Sequence, residues 1–132
     1  MDARDIEIRL ESKMISDVLE KFSITNPAVE WELDRKSSVI ESLLINVPIG
    51  QFVWFGYDEC VNGQNRIKAI QDFVQNKFAL TNLKFVEEFS GKCFQDLQPH
   101  SQRRILETYL NIQMISKYCP LDVKFEIISR MK

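Results

Sequence analysis

The chain contains 132 residues, of which 45% are hydrophobic and 27% are charged, values typical of a single soluble globular domain spanning residues 1–132. A net charge of −2 argues against a general basic coat for nucleic acid, so any such contact has to come from a local patch. No apolar run approaches the roughly 20 residues that span a bilayer, and the charged N-terminus lacks the core of a secretory signal, which predicts a cytoplasmic protein.

One strand and two helices are predicted in the first third of the chain. Ile6, Ile8 and Leu10 alternate with charged residues, as in a short strand. The first helix has an apolar face made up of Ile15, Val18, Leu19 and Phe22. Asn26–Pro27 then interrupts the chain. The second helix begins near Lys36 and ends before Pro48, and its apolar face is made up of Ile40, Leu43, Leu44 and Val47.

The middle of the chain predicts a strand, a turn, a second strand and a helix. Gln51–Phe55 is aromatic and β-branched, which favours a strand with Trp54 and Phe55 on opposite faces. Gly56–Asp58 forms the turn, and Glu59–Val61 is the short partner strand. A third helix is predicted from about Gln64 to Asn76.

The last third predicts short elements of both kinds. Residues 78–97 show no helical period, so short strands and turns are expected there. A fourth helix begins at Pro99 and ends near Glu107, Tyr109–Ile115 alternates as a strand, and a last helix follows Pro120. The predicted fold class is therefore α+β, a small mixed sheet with four to five helices.

Cysteine and histidine are too sparse to predict a metal or nucleophile site. The three cysteines, Cys60, Cys93 and Cys119, are too widely spaced for a disulfide framework or a zinc site. The single histidine, His100, stands beside Pro99 and is most simply a solvated loop residue. Accordingly, no metal site and no catalytic residue is predicted.

The junction between the second partner strand and the third helix is the candidate functional site. The first turn of a helix leaves N–H groups unpaired and carries partial positive charge, and glycine allows close approach of a ligand, so Gly63 suits a phosphate. The first turn also holds two cations, Arg66 and Lys68, and no acid precedes Asp72, which is unfavourable unless an anion binds. The alternative is that Asn62–Gly63 is an ordinary tight turn.

Four stretches of the chain, residues 38–49, 61–73, 91–97 and 123–131, carry motifs that occur together in a known family. They are similar to an L-I-E-S-L-L-x-x-I-P-I helix, an I-D-G-Q-Q-R-L-T-A-I-x-D-F motif, a G-x-x-F-x-D-L stretch and a closing F-x-x-I-x-R-I-N helix. These motifs resemble the ParB/sulfiredoxin-like superfamily, in particular the N-terminal domain of GmrSD-type, modification-dependent restriction enzymes. The resemblance covers nearly all of the chain beyond about Asn26, in the family's order.

The resemblance implies a nucleotide-binding domain of restriction and phage-defence proteins. In that family the D-G-Q-Q-R turn lies at the phosphates, and some members hydrolyse a nucleoside triphosphate, with Mg²⁺, to control a nuclease domain. Gly63, Gln64 and Arg66 match the motif, Asn62 and Asn65 occupy its other positions, and Lys68 adds a second cation. These six residues are the predicted nucleotide- or nucleic-acid-phosphate site.

Three departures from the family pattern point toward binding without efficient catalysis. Asn62 replaces the motif's acid, and an amide is neither a general base nor a good magnesium ligand. Residues 27–34 lack the arginine that the family carries after its first helix. The sequence ends at Lys132, where the family continues toward its nuclease domain.

Three functions therefore stay open from the sequence. The first is a ParB-like module that binds nucleotide or nucleic-acid phosphate with weak or no hydrolysis. The second is a stand-alone phage or mobile-element protein that inhibits or imitates a restriction or defence protein. The third is an active NTPase, in which Asp58 and Glu59 would hold a metal, although a solvated hairpin turn is the favoured interpretation of these acids.

Overall fold

The computed structural model describes residues 6–21, 30–56, 59–116 and 118–130. The strands are β1 (Ile8–Met14), β2 (Phe52–Phe55), β3 (Glu59–Asn62) and β4 (Tyr109–Ile115). The helices are α1 (Ile15–Lys21), α2 (Leu33–Leu44), α3 (Gln64–Val74), α4 (Pro99–Leu106) and α5 (Leu121–Arg130). The described part of the chain thus contains five α-helices and four strands, which confirms the α+β class. The predicted break at Asn26–Pro27 and the turn residue Asp58 lie outside the described residues.

The four strands form one mixed sheet in the order β1-β4-β2-β3. β4 runs antiparallel to β1 and parallel to β2, and β2 and β3 form an antiparallel hairpin. The sheet therefore has β1 at one edge and β3 at the other. Because β3 leads directly into α3, the candidate turn lies at the end of an edge strand.

The two faces of the sheet are covered differently. Alternation along β2 sends Phe52 and Trp54 into the main core, where they pack with side chains of α1 to α4. Phe55 points the other way and packs with Val53, Ile115 and residues of α5. The prediction that Trp54 and Phe55 face opposite sides is confirmed. We call the side toward α1–α4 the main-core face and the other the α5 face.

Residues 78–97 differ from the prediction of short strands. The segment contains two 3₁₀ turns, Glu87–Phe89 and Phe94–Asp96, and no strand is assigned in it. Its backbone is held by isolated hydrogen bonds, among them Leu80 N to Lys92 O at 3.0 Å and Gly91 N to Leu80 O at 2.8 Å. The segment buries apolar side chains in the main core without pairing as strands. These side chains are Phe78, Leu80, Leu83 and Leu97.

A buried carboxylate fixes the middle of that segment to α2. Glu41 is 5% exposed and accepts backbone N–H bonds from Lys84, Phe85 and Val86 at 3.2, 2.7 and 3.1 Å. Burial alone would raise the pKa of Glu41, but the three N–H donors outweigh it and hold the pKa below its usual value. The ionised carboxylate is therefore the form that the fold stabilises.

The variant Glu41→Gln is expected to lose about 1–3 kcal/mol of unfolding free energy, because one carboxylate oxygen becomes an NH₂ group facing backbone donors. The measurement is the urea midpoint at neutral pH. Glu88→Gln is the matched control, since Glu88 is exposed in the same segment. Equal midpoints for the two variants would contradict the assigned role of Glu41.

Candidate functional site

A turn joins β3 to α3 at the position predicted from the sequence. β3 ends at Asn62, Gly63 adopts φ of +107°, and α3 begins at Gln64. The first helical bond is donated by Ile67 N to Gly63 O at 3.0 Å, and Gly63 supplies no side-chain cap. The backbone N–H groups of the first turn are thus left without a capping side chain, which is the condition for anion binding at a helix start.

Gly63 is required at this position for two reasons. Its positive φ is one that residues with a side chain rarely adopt. In addition, an ideal Cβ would lie 2.1 Å from Cδ2 of Phe52, which is fully buried in the main core. The turn is therefore packed directly against the aromatic ring of β2.

Arg66 lies beside the same ring and joins the turn to the segment before β2. Its Nη1 donates to Ile49 O at 2.5 Å, and its Nη2 donates to Gln51 O at 2.8 Å. The guanidinium carbon stands 4.1 Å from the centroid of the Phe52 ring. Nη2 is also 3.1 Å from the position that a Gly63 Cβ would take, so the cation borders the helix start.

The charge of Arg66 is not cancelled by these contacts. Both acceptors are neutral carbonyls, and no ion pair to Arg66 is found in the described part of the chain. Burial consequently lowers the pKa of Arg66, although the guanidinium stays protonated at any ordinary pH. Arg66 is therefore a partly buried cation that no carboxylate of the described residues neutralises.

Lys68 is placed differently from the sequence-based expectation. Its Nζ donates to Asp72 Oδ2 at 2.9 Å, one turn further along α3. Asp72 is 4% exposed and also accepts from the buried Lys36 of α2 at 3.2 Å, and Lys36 in turn contacts Glu30. Lys68 thus has a carboxylate partner in α3, whereas Arg66 has none among the described residues.

The three amide residues of the turn, Asn62, Gln64 and Asn65, make different contacts. Gln64 Nε2 donates to Cys60 O at 2.5 Å, which ties the helix start to β3. Asn65 Oδ1 is buried and has no hydrogen-bond partner within the described ranges. Asn62 is partly exposed at the end of β3, and its carbonyl accepts from the Cys60 thiol at 3.4 Å. Five of the six predicted site residues therefore lie together at the turn between β3 and α3: Asn62, Gly63, Gln64, Asn65 and Arg66. The sixth, Lys68, contacts Asp72 instead.

Groups that could support chemistry are placed elsewhere or are occupied. Glu59 pairs with Lys124 of α5 at 2.8 Å, and its suggested metal partner Asp58 lies outside the described residues. Across residues 6–21, 30–56, 59–116 and 118–130, no group of three or more His, Cys, Asp or Glu is arranged to hold a metal ion. Burial raises the pKa of Cys60 to about 11, so its thiol is protonated at neutral pH.

The sequence did not identify the partners that hold the turn. The carbonyls of Ile49 and Gln51 and the ring of Phe52 come from a segment that the sequence marked only as a helix stop and a strand. For Lys36, the sequence predicts only the start of a helix. The i, i+4 spacing of Lys68 and Asp72 is the one signal from which a contact could have been predicted.

No family model, curated protein or solved structure matches this chain. The family resemblance consequently rests on the motif residues quoted above. A separate structural finding is that none of the described helices is long and apolar enough to cross a membrane.

Proposed function

We propose that this chain is a ParB-like domain that binds the phosphate of a nucleotide or nucleic acid at the turn of residues 62–66, with weak or no hydrolysis. The observation that carries the proposal is the uncapped start of α3 beside Arg66, a cation with no carboxylate partner in the described part of the chain. A phosphate would supply the missing negative charge at that position.

The electrostatics of the turn support an anion rather than a cation or a neutral group. The helix dipole places about +0.5 of an elementary charge at the N-terminus. Arg66 adds a full charge 3.1 Å from the site of a Gly63 Cβ, and the first turn of α3 contains no acid. Because Gly63 has no side chain, the turn packs against the ring of Phe52, and no capping side chain competes with a ligand for the N–H groups that follow it.

Within this proposal, Arg66 contributes mainly as a fixed charge. Two of its N–H groups donate to the carbonyls of Ile49 and Gln51, so the guanidinium is held in one orientation before any ligand arrives. A guanidinium has five N–H donors, which leaves others for a phosphate oxygen. The backbone N–H groups of the helix start would supply the remaining donors.

Binding without efficient hydrolysis follows from the residue at the end of β3. A carboxylate at position 62 would act as a general base or as a magnesium ligand, and the amide of Asn62 does neither well. The same substitution removes a negative charge from the turn, which favours anion binding. The proposal therefore predicts that nucleotide binding does not depend on Mg²⁺.

The direct test is an amide chemical-shift titration with ATP, inorganic phosphate and a short single-stranded oligonucleotide. We expect the backbone amides of Gly63 to Ile67 to shift with all three probes. The start of α2 serves as an internal control, because Glu32 precedes it and Asp34 lies in its first turn, and both repel anions. Equal shifts at the two helix starts, or none at α3, would refute the proposed site.

The variant Asn62→Asp is expected to bind ATP roughly threefold to tenfold more weakly without Mg²⁺, because two like charges about 4 Å apart in water repel by about 1 kcal/mol. Mg²⁺ should restore affinity to this variant and leave the wild type unchanged, which calorimetry would show. Intact mass must first confirm that Asn62 has not deamidated in the wild-type sample. Magnesium-dependent ATP turnover by the wild type would instead support the NTPase alternative.

A further inference from the structure

Apolar residues lie along the outer edge of β1, which no strand of the described residues covers. Among the described residues, β1 pairs with β4 alone and ends the sheet on that side. Leu10, near the middle of the strand, is 78% exposed, and Ile8 is 53% exposed. Exposed edge strands of this kind pair readily with another strand unless the sequence opposes it.

The hydrogen bonds at both ends of β1 show which main-chain groups face outward. Ser116 N donates to Glu7 O, and Ile15 N donates to Thr108 O, so odd-numbered residues direct their main-chain groups toward β4. In an antiparallel ladder the direction alternates along the strand. The even-numbered residues Ile8, Leu10, Ser12 and Met14 therefore direct their N–H and C=O groups toward the open edge.

We propose that two copies of this chain pair through their β1 strands, antiparallel, about a two-fold axis at Leu10. In this register Leu10 lies opposite Leu10 of the second copy, and Ile8 lies opposite Ser12. The outward-facing main-chain groups of both strands then oppose each other, as hydrogen bonding requires. The result is a continuous eight-stranded sheet, with Leu10 of each copy covered by the other on the α5 face.

The alternating charges of residues 7, 9, 11 and 13 favour this strand register over the adjacent registers. With the axis at Leu10, Arg9 lies opposite Glu11 and Glu7 lies opposite Lys13, and the symmetry makes each pair twice. Opposite charges that face each other directly across strands stabilise pairing. Within one copy Glu11 already lies 3.4 Å from both Arg9 and Lys13, so the pairs would extend an existing row of alternating charge.

The adjacent registers that keep the same outward-facing groups are electrostatically unfavourable. Moving the axis to Arg9 sets Arg9 against Arg9 and Glu7 against Glu11. Moving it to Glu11 sets Glu11 against Glu11 and Arg9 against Lys13. Like charges directly opposite each other destabilise strand pairing. The order of the four charges thus matches self-pairing about Leu10 and no neighbouring alignment.

The test is a charge exchange measured by light scattering coupled to size exclusion. The wild type is expected at twice the 15.5 kDa mass of one chain, at the concentration of an NMR sample. Arg9→Glu and Glu11→Arg should each halve the mass, because each creates like-charge pairs. An equimolar mixture of the two variants, and the double variant Arg9→Glu/Glu11→Arg, should each recover the mass of a dimer.

Two controls keep the result interpretable. Arg103→Glu makes the same change in net charge as Arg9→Glu, on an exposed position of α4, and should leave the dimer intact. Far-UV circular dichroism spectra of the single variants below their melting temperatures should match the wild type, which would separate loss of pairing from unfolding. A monomeric wild type, or dimers that survive both single variants, would overturn the proposal. The outcome is independent of phosphate binding, which is measured on α3.

Discussion

Gly63→Ala is expected to destabilise the chain by about 2–5 kcal/mol, the sum of backbone strain at positive φ and overpacking of a filled core. The new Cβ would lie 2.1 Å from the ring of Phe52, so either the ring or the turn has to move. Phe52 is fully buried, which makes a simple rotation of the ring difficult. The urea midpoint at neutral pH measures the effect.

Gly91→Ala separates the two causes. Gly91 has φ of +82°, similar to Gly63, but a Cβ there meets nothing within 4 Å. Gly91→Ala should therefore lose only the unfolding free energy due to backbone strain, about 1 kcal/mol. The difference between the two variants isolates the overlap with Phe52. Equal losses would mean that contact with the ring does not determine the residue at position 63.

A double-mutant cycle gives a second check. Phe52→Ala removes the ring that an alanine at position 63 would meet, so Gly63→Ala should cost less in that background than in the wild type. The two sites are in contact, and non-additivity is expected for such pairs. If the two losses of unfolding free energy are additive, the turn avoids the overlap with the Phe52 ring by a shift of its own backbone.

The position of the turn was predictable from the sequence because it depends on local signals. Apolar periodicity located α3, and Asn62–Gly63 marked the break before it. The same signals located α4, β4 and α5. α2 begins at Leu33, earlier than predicted, and it ends at Leu44, so Val47 is not on the helix as the apolar spacing suggested.

What could not be predicted depends on contacts between distant segments. Residues 78–97 contain apolar residues suited to strands. Three of their backbone N–H groups instead donate to Glu41 of α2, so these groups are satisfied without pairing to another strand. The carbonyls that hold Arg66 come from the segment before β2. The packing of α2 on α3 decides that Lys36 meets Asp72, and no local pattern encodes it.

Asp72→Asn is expected to destabilise the chain by about 3 kcal/mol, the lower end of the range for breaking a buried ion pair. Lys36 is 6% exposed and would lose one of its two carboxylate partners, while Glu30 remains. The double variant Lys36→Met/Asp72→Asn should recover part of the loss, because the buried charge is then gone. Glu126→Gln, which breaks the exposed pair with Arg130, is the control and should cost under about 0.5 kcal/mol.

The pH dependence gives an independent measurement of the same contact. Burial alone would raise the pKa of Asp72, but hydrogen bonds from Lys68 and Lys36 outweigh it and lower the pKa below its ordinary value near 3.8. A carboxylate with a lowered pKa contributes stability above its unfolded pKa and loses it as pH falls through the folded pKa. The difference in unfolding free energy between wild type and Asp72→Asn should therefore be constant near neutral pH and shrink below about pH 4. A difference that stays constant down to pH 2 would show that Asp72 acts through packing, and that its charge does not hold α2 against α3.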